Sequence, residues 1–214
     1  MRGRMEIIAH RGFWDRDEDK NTLNAFEKAF KSGYGVETDL RDYREKLVIS
    51  HNVANEDCVG LEDFFWLYQT CHSKSPLALN VKADGIQVLL EPLLKKYNIV
   101  NYFLFDMSIP ELVVNANRKL RFYTRNSDVE KECVLYSKAN GVWLDAFYDE
   151  NWLTEKVITQ HVKHGMKVCI VSPELHGYEY TRVWEMLKGT SLYKNELVAL
   201  CTDIPNRAEE YFDE

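Results

Sequence analysis

One stretch of the sequence, Leu77-Ala-Leu-Asn-Val-Lys-Ala-Asp-Gly-Ile-Gln-Val-Leu-Leu-Glu-Pro-Leu-Leu-Lys-Lys-Tyr97, contains both elements from which the fold is built. Residues 77–82 are short, apolar and bounded by polar residues, which is typical of a buried strand. From Ile86 onward the apolar residues recur at i, i+3, i+4, i+7, i+8 and i+11, so they line one face of a helix. The stretch therefore predicts a strand followed by an amphipathic helix.

The same alternation repeats along the whole chain. We predict eight strands, at residues 6–9, 35–39, 77–82, 102–105, 121–124, 142–144, 168–171 and 198–201. Helical patterns lie between them, and Asn21-Thr22 is placed to cap the first helix. Residues 46–50 are predicted as an extra extended piece that pairs back onto the second strand. Apolar spacing predicts that three helices bury the side chains Leu23, Phe26, Phe30; Leu61, Phe64, Phe65, Tyr68; and Val183, Trp184, Leu187.

Eight strands, each followed by a helix in a right-handed connection, describe an α/β fold, the parallel eight-stranded (β/α)₈ TIM barrel. The length of 214 residues is near the lower end for this fold, so we predict a compact barrel with short loops. No linker-like composition interrupts the chain, which predicts a single domain over 1–214. An open doubly wound sheet is disfavoured because His10-Arg-Gly12 is not a glycine-rich phosphate turn.

Composition and charge exclude several classes of protein. Hydrophobic residues make up 45% and charged residues 29%, which is enough apolar material for a core. There are 34 Asp and Glu against 27 Lys and Arg, a net charge of −7 without a basic stripe, so nucleic acid is not expected as a partner. Apolar runs are far shorter than the roughly 20 residues of a membrane span, and no loop is apolar enough to dock stably on a bilayer.

The five cysteines are scattered and form no C-x-x-C pair, which favours reduced thiols. The basic start of the chain is followed by Glu6 instead of an apolar signal-peptide region. We therefore expect a cytoplasmic protein. The oligomeric state is left open.

Polar side chains follow every predicted strand, at the edge where barrel enzymes hold their active sites. They are His10 and Arg11; Glu37, Asp39 and then His51; Asn80 and Lys82; Asp106; Arg125; Asp145; Glu174 and His176; and Thr202 and Asp203.

Glu37 and Asp39 are two residues apart in a strand, so both side chains point to the same side and repel each other. A hard divalent cation such as Mg²⁺ or Ca²⁺ would relieve that repulsion, and Asn80 would add an amide oxygen. The alternative, left open by the spacing, is ion pairing with the basic residues Arg11, Lys82 or Arg41.

His10 and His51 end strand-like runs beside this acidic pair, which favours acid–base chemistry over a structural role. His161 and His164 lie at the end of a predicted helix, where a cationic side chain complements the helix dipole, and we assign them no catalytic role.

Four motifs in order resemble one known family: Ile8-Ala-His-Arg-Gly12, Asn21-Thr-Leu23, Gly33-Tyr-Gly-Val-Glu-Thr-Asp39 and Leu47-Val-Ile-Ser-His51. Together with Leu79-Asn-Val-Lys82 and Cys201-Thr-Asp-Ile-Pro205, they are similar to the glycerophosphodiester phosphodiesterases over nearly the whole chain. The resemblance implies a (β/α)₈ barrel. It also implies a phosphoric diester hydrolase of lipid metabolism that uses a metal to cleave a glycerophosphodiester.

The resemblance also implies residue roles. His10 and His51 fall on the catalytic histidines, Arg11 and Lys82 on residues that face the phosphate, and Glu37 and Asp39 on metal ligands. Asn80 replaces a usual Glu ligand, Lys20 replaces a Glu before Asn-Thr, and Asn52 replaces the Asp after the second histidine. The rim residues Arg125, Asp145, Glu174 and His176 are interpreted as contacts to a small-molecule phosphodiester substrate.

Two other functions remain open from the sequence. The first is a non-catalytic barrel that binds a phosphate ester or a sugar phosphate, since Lys20 and Asn80 weaken the implied metal site. The second is a lyase that closes the substrate to a cyclic phosphate and stops there.

Overall fold

The computed structural model describes residues 5–213. Helices and strands alternate in it as β1 (Glu6–His10), α1 (Leu23–Lys31), β2 (Gly35–Tyr43), β3 (Lys46–Ile49), β4 (Val59–Gly60), α2 (Leu61–Thr70), β5 (Leu77–Val81), α3 (Gln87–Lys96), β6 (Tyr102–Phe105), α4 (Ile109–Arg118), β7 (Tyr123–Ser127), β8 (Gly141–Asp145), α5 (Glu155–Lys163), β9 (Lys167–Val171), α6 (Thr181–Gly189), β10 (Val198–Thr202) and α7 (Pro205–Asp213). No helix among these residues is long and apolar enough to cross a membrane.

One compact unit comprises Ala9–Arg121. In it β2 pairs in parallel with β5 and in antiparallel with β3, and β5 pairs in parallel with β6. Aromatic side chains of α1 and α2 pack face to edge in its core, with the rings of Phe26 and Phe64 4.7 Å apart. Burial of these rings holds both helices on the sheet.

The second compact unit comprises the described residues up to Ile8 and from Phe122 onward. Its strands β7, β8, β9 and β10 pair in parallel in that order. Val183, Trp184 and Leu187 of α6 are buried, as the helical spacing predicted. The Trp184 indole N–H donates to the Ser172 hydroxyl at 2.9 Å, which satisfies its polar atom inside the core.

All eight predicted strands are present, six of them within one residue of their predicted limits, and the extra piece at 46–50 is strand β3. The second strand continues four residues further, to Tyr43, and the fifth is shifted to Tyr123–Ser127. The two-residue strand β4 was not predicted. The prediction of a helix after every strand is wrong at one place: after β7 the described chain has only the 3₁₀ turn Tyr136–Lys138. Leu135 begins that turn in the left-handed region, at φ 53°, a conformation that a right-handed helix excludes.

Candidate active site

The turn after β1 places His10 and Arg11 at the end of the strand. The backbone of Arg11 is in the left-handed region at φ 57°, and its N–H donates to the Glu37 carbonyl at 3.0 Å. Gly12 follows at φ 93°, where a Cβ atom would lie 2.8 Å from the Cβ of Ala25. Only glycine fits this close approach to α1, which explains the His-Arg-Gly order of the motif. The helix itself begins at the Thr22 cap, whose hydroxyl accepts from the Ala25 N–H at 3.3 Å.

Asp39 is buried among three positive or polar donors. Its Oδ2 accepts from the Asn21 side-chain amide at 3.0 Å and lies 3.5 Å from Arg11 Nε. Its Oδ1 lies 3.5 Å from Lys82 Nζ. Asn21 is fixed in turn by the Thr38 hydroxyl, which donates to its amide oxygen at 2.8 Å. The carboxylate thus brings a guanidinium and an ammonium group to one place.

Asn21 belongs to the candidate site, although no role there was predicted for it from the sequence. The sequence predicts it as part of the helix cap and of a family motif, but the cap is Thr22 alone, and Asn21 is turned toward Asp39 by a left-handed backbone at φ 60°. Asparagine is one of the few residues that adopt this region readily. An Asn directly before a helix-capping Thr was the available signal.

Glu37 is 2% exposed and lies beside Asp39 on β2. Burial, followed by the charge of Asp39, raises the pKa of the Glu37 carboxyl to about 7, although His10, Arg11 and Lys82 oppose the rise. His10 Nε2 lies 3.8 Å from Glu37 Oε2, and that oxygen has no hydrogen-bond partner. This end of β2 therefore holds a buried acidic oxygen next to an imidazole.

Asn80 lies opposite Asp39 in the β2–β5 register. Its amide nitrogen donates to Asp106 Oδ2 at 3.4 Å, and its buried Oδ1 has no hydrogen-bond partner. Two buried oxygens without a hydrogen-bond partner, Glu37 Oε2 and Asn80 Oδ1, are ligand atoms of the kind that a hard cation prefers. No three Asp, Glu, His or Cys side chains between residues 5 and 213 are grouped to hold a metal, so a cation here would depend on the Asn80 amide.

His51 and Lys82 follow β3 and β5, next to the end of β2. The Ser50 N–H donates to the Asp39 carbonyl at 3.0 Å, and the Lys82 N–H donates to the Leu40 carbonyl at 2.9 Å. His51 is exposed, and its Nδ1 lies 3.2 Å from the side-chain oxygen of Asn52. These backbone bonds fix where both side chains leave the sheet.

Lys20, in the loop between β1 and α1, forms a cation–π contact and an ion pair. Its Nζ lies 4.2 Å from the centroid of the Trp14 ring and 2.9 Å from the Asp17 carboxylate. The Trp14 indole donates to the His10 carbonyl at 2.9 Å. A positive charge thus occupies the position where the resemblance implies a glutamate.

The remaining predicted site residues lie in the second unit. His176 Nε2 is 2.6 Å from Asp145 Oδ1, and this hydrogen bond raises the pKa of the His176 imidazole. Arg125 forms an ion pair with Glu130 at 2.7 Å, and Glu174 accepts from the Thr202 hydroxyl at 2.5 Å. Asp145 and His176 therefore form a pair, whereas Arg125 and Glu174 have separate partners. Their role as substrate contacts stays a prediction.

Comparison with known proteins finds similar structures but no similar sequence family. The sequence matches no protein-family model and no curated protein. A Galdieria sulphuraria structure assigned to the glycerophosphodiester phosphodiesterases is 18% identical, with a TM-score of 0.77 and 98% of each chain covered. The glycerophosphodiester phosphodiesterase of Agrobacterium tumefaciens is 14% identical, with a TM-score of 0.71 over 98% of this chain and 100% of that chain. The chain has the glycerophosphodiester phosphodiesterase fold.

A third structure adds a ligand to the comparison. A phosphodiesterase of Oleispira antarctica, solved in complex with the product sn-glycerol-3-phosphate, is 12% identical, with a TM-score of 0.71 over 99% of this chain and 98% of that chain. These structures confirm the (β/α)₈ fold that the sequence predicted. One fold hosts many reactions, so the function of a chain with this fold depends on its own side chains.

Proposed function

We propose that this protein hydrolyses a glycerophosphodiester, or a related polar phosphodiester, to a phosphomonoester and an alcohol. The observation that supports the proposal best is the convergence of His10, Arg11 and Lys82 on the buried pair Glu37 and Asp39. It occurs at the strand ends of a fold shared with phosphodiesterases, one of them bound to sn-glycerol-3-phosphate.

The chemistry requires charge neutralisation and two proton transfers. Arg11 and Lys82 bind the phosphate oxygens, which lowers the repulsion that an anionic diester offers to a nucleophile. One of His10 and His51 takes a proton from the attacking water as the water oxygen bonds to phosphorus. The other histidine gives a proton to the alcohol oxygen as its bond to phosphorus breaks.

A divalent cation, Mg²⁺ or Ca²⁺, belongs to the same proposal. Glu37, Asp39 and Asn80 would hold it, and the unpaired oxygens of Glu37 and Asn80 support this assignment. When bound, the ion would supply Lewis-acid neutralisation of phosphate charge. Asp39 is already balanced by Arg11 and Lys82, and Asn80 carries no charge, so we propose weaker cation binding than an all-carboxylate site would give.

Turnover with controlled metal content tests the proposal. EDTA-treated protein is assayed on bis(4-nitrophenyl) phosphate and on glycerophosphocholine, with Mg²⁺, Mn²⁺ or Ca²⁺ added back singly. We expect metal-dependent cleavage, and a loss of at least about 100-fold in His10→Ala and His51→Ala, the scale of a lost general acid or base. His72→Asn is the matched control, because His72 is exposed and left-handed and asparagine tolerates φ 52°.

The products distinguish hydrolysis from cyclisation. Phosphorus NMR of the glycerophosphocholine reaction should show glycerol 3-phosphate without an accumulating cyclic phosphate, whereas a lyase would leave the cyclic ester as the end product. Absence of cleavage with every ion, in wild type and His10→Ala alike, would contradict the hydrolase and favour a binding protein.

A further inference from the structure

Arg41 lies in β2, one residue beyond the last pair of the β2–β5 register, between the segments that contain His51 and Lys82. Its Nη1 donates to the Lys82 carbonyl at 3.1 Å, and its Nη2 donates to the His51 carbonyl at 3.3 Å. The sequence offered Arg41 as an ion-pair partner for Glu37 or Asp39. The structure instead directs both ends of the guanidinium group to main-chain oxygens.

The backbone ladder explains why a side chain is needed at this point. The parallel pairing of β2 with β5 ends at Leu40 and Val81, and the last main-chain bond runs from the Lys82 N–H to the Leu40 carbonyl. On the other side of β2, the Ser50 N–H donates to the Asp39 carbonyl. The planar guanidinium of Arg41 reaches from β2 to both neighbouring segments, with one N–H group directed to each.

Charge supports a role beyond packing. In the part of the chain that the structure describes, Arg41 forms no ion pair with a carboxylate, and its buried Nε has no hydrogen-bond partner. A partly buried guanidinium is normally neutralised by a carboxylate, since leaving its charge uncompensated is costly. The positive charge of Arg41 lies beside Lys82 and adds to the positive potential at the place where the proposed substrate brings a negative phosphate.

We infer that Arg41 is a positioning residue, whose guanidinium group fixes the main chain at His51 against the main chain at Lys82. It thereby sets the separation between a proposed acid–base histidine and a proposed phosphate-binding lysine. The inference rests on the proposed function for the roles of those two residues. The contacts that carry it are independent of that function.

A double-mutant cycle tests the inference. Arg41→Gln and Arg41→Lys are made in wild type and in His51→Ala, and kcat and KM are measured on bis(4-nitrophenyl) phosphate. We expect Arg41→Gln to lower kcat/KM at least about 10-fold in wild type but less than about 3-fold in His51→Ala, because residues that act together are non-additive. Arg41→Lys should fall between, since it keeps the charge but cannot span both carbonyls. Equal losses in both backgrounds would overturn the inference.

A second readout does not depend on turnover. Carbonyl ¹³C shifts of His51 and Lys82 are compared between wild type and Arg41→Gln, with Arg118→Gln as control because Arg118 pairs with Glu91 at the surface. Both carbonyl signals should move in Arg41→Gln and neither in the control. If the signals move in a protein without phosphodiesterase activity, the proposed function is rejected but the positioning role of Arg41 is supported. If the signals do not move, the positioning role is rejected. Arg41→Lys provides the same comparison if Arg41→Gln does not fold.

Discussion

Asn80 is the residue on which the proposed cation site depends most, because its Oδ1 is buried and unpaired beside Glu37 and Asp39. Asn80→Glu adds a carboxylate to the group formed by Glu37, Asp39 and Asp106, which should destabilise the metal-free protein by repulsion. The same change should tighten Mg²⁺ and Ca²⁺ binding by at least about 10-fold, since hard cations favour charged oxygen ligands. Calorimetric titration measures the affinity. Asn80→Gln is the uncharged control, and equal affinity in both variants would remove residue 80 from the site.

His176 gives a prediction about pH. Its hydrogen bond to Asp145 raises the pKa of the folded imidazole above the ordinary 6.5, so folding favours the charged form. The stabilisation is complete below the unfolded pKa and is lost as pH rises through the folded pKa. As pH rises above about 6.5, urea unfolding should therefore show wild type losing stability relative to His176→Gln. Parallel curves for the two proteins would contradict the ion pair.

The limits of sequence reasoning are clear at this scale. His10, Arg11, Glu37 and Lys82 are placed by their positions after strands, and the structure brings them together around Asp39. The contact of Asn21 depends on a left-handed backbone, for which an Asn before the capping Thr was the only signal in the sequence. The contacts of Arg41 were not predictable, because they depend on a guanidinium group reaching two main-chain oxygens. Hydrophobic periodicity contains no information about either.

At the scale of elements, a buried polar network attaches the loop after β5 to α4. Both oxygens of Glu111 accept from the Gly85 N–H, at 3.1 and 3.0 Å, and one also accepts from Gln87. The Gln87 amide donates in addition to Asn115 at 2.8 Å. Helix α4 thus holds the segment that begins with Lys82.

Glu111→Ala should lower the free energy of unfolding by about 1–3 kcal/mol, because the buried Gln87 amide would lose one of its two acceptors and the Gly85 N–H would lose its side-chain acceptor. Glu111→Gln keeps one acceptor oxygen and should cost less. Denaturant unfolding measures both, with the exposed Glu132→Ala as control. A loss in Glu111→Ala no larger than that of the control would show that the network does not contribute.

The connection between β7 and β8 departs from the general rule that a helix follows each strand of a barrel. The barrel pattern predicted a helix here, but the chain is held by side chains instead. The Asn126 amide donates to the carbonyls of Glu130 and Lys131. The Tyr136 hydroxyl forms a hydrogen bond with His161 Nδ1 at 3.0 Å. His161, to which we assigned no catalytic role, contributes to anchoring this segment to α5.

For the whole molecule, the alternation of strands and helices was predictable because each strand is a short buried run and most helices have an apolar face. The likeness to phosphodiesterase structures extends over 98–99% of the chain at sequence identities of only 12–18%. Core positions such as Phe64 and Trp184 need only be apolar and of suitable size, which leaves little sequence for a family model to match.

The net charge of −7 makes anion binding a sensitive test of the candidate site, since the chain as a whole repels a phosphate ester. Binding must then come from the local cations Arg11 and Lys82. At a concentration of 100 times Kd, sn-glycerol-3-phosphate should stabilise the folded protein by about 2.7 kcal/mol, which for this size corresponds to a rise in Tm of about 5–10 °C. Lys82→Met should lose most of that rise, whereas Arg118→Gln should keep it. An equal rise in Lys82→Met and wild type would place the phosphate away from β5 and contradict the site, because loss of an ammonium 3.5 Å from Asp39 cannot leave anion affinity there unchanged.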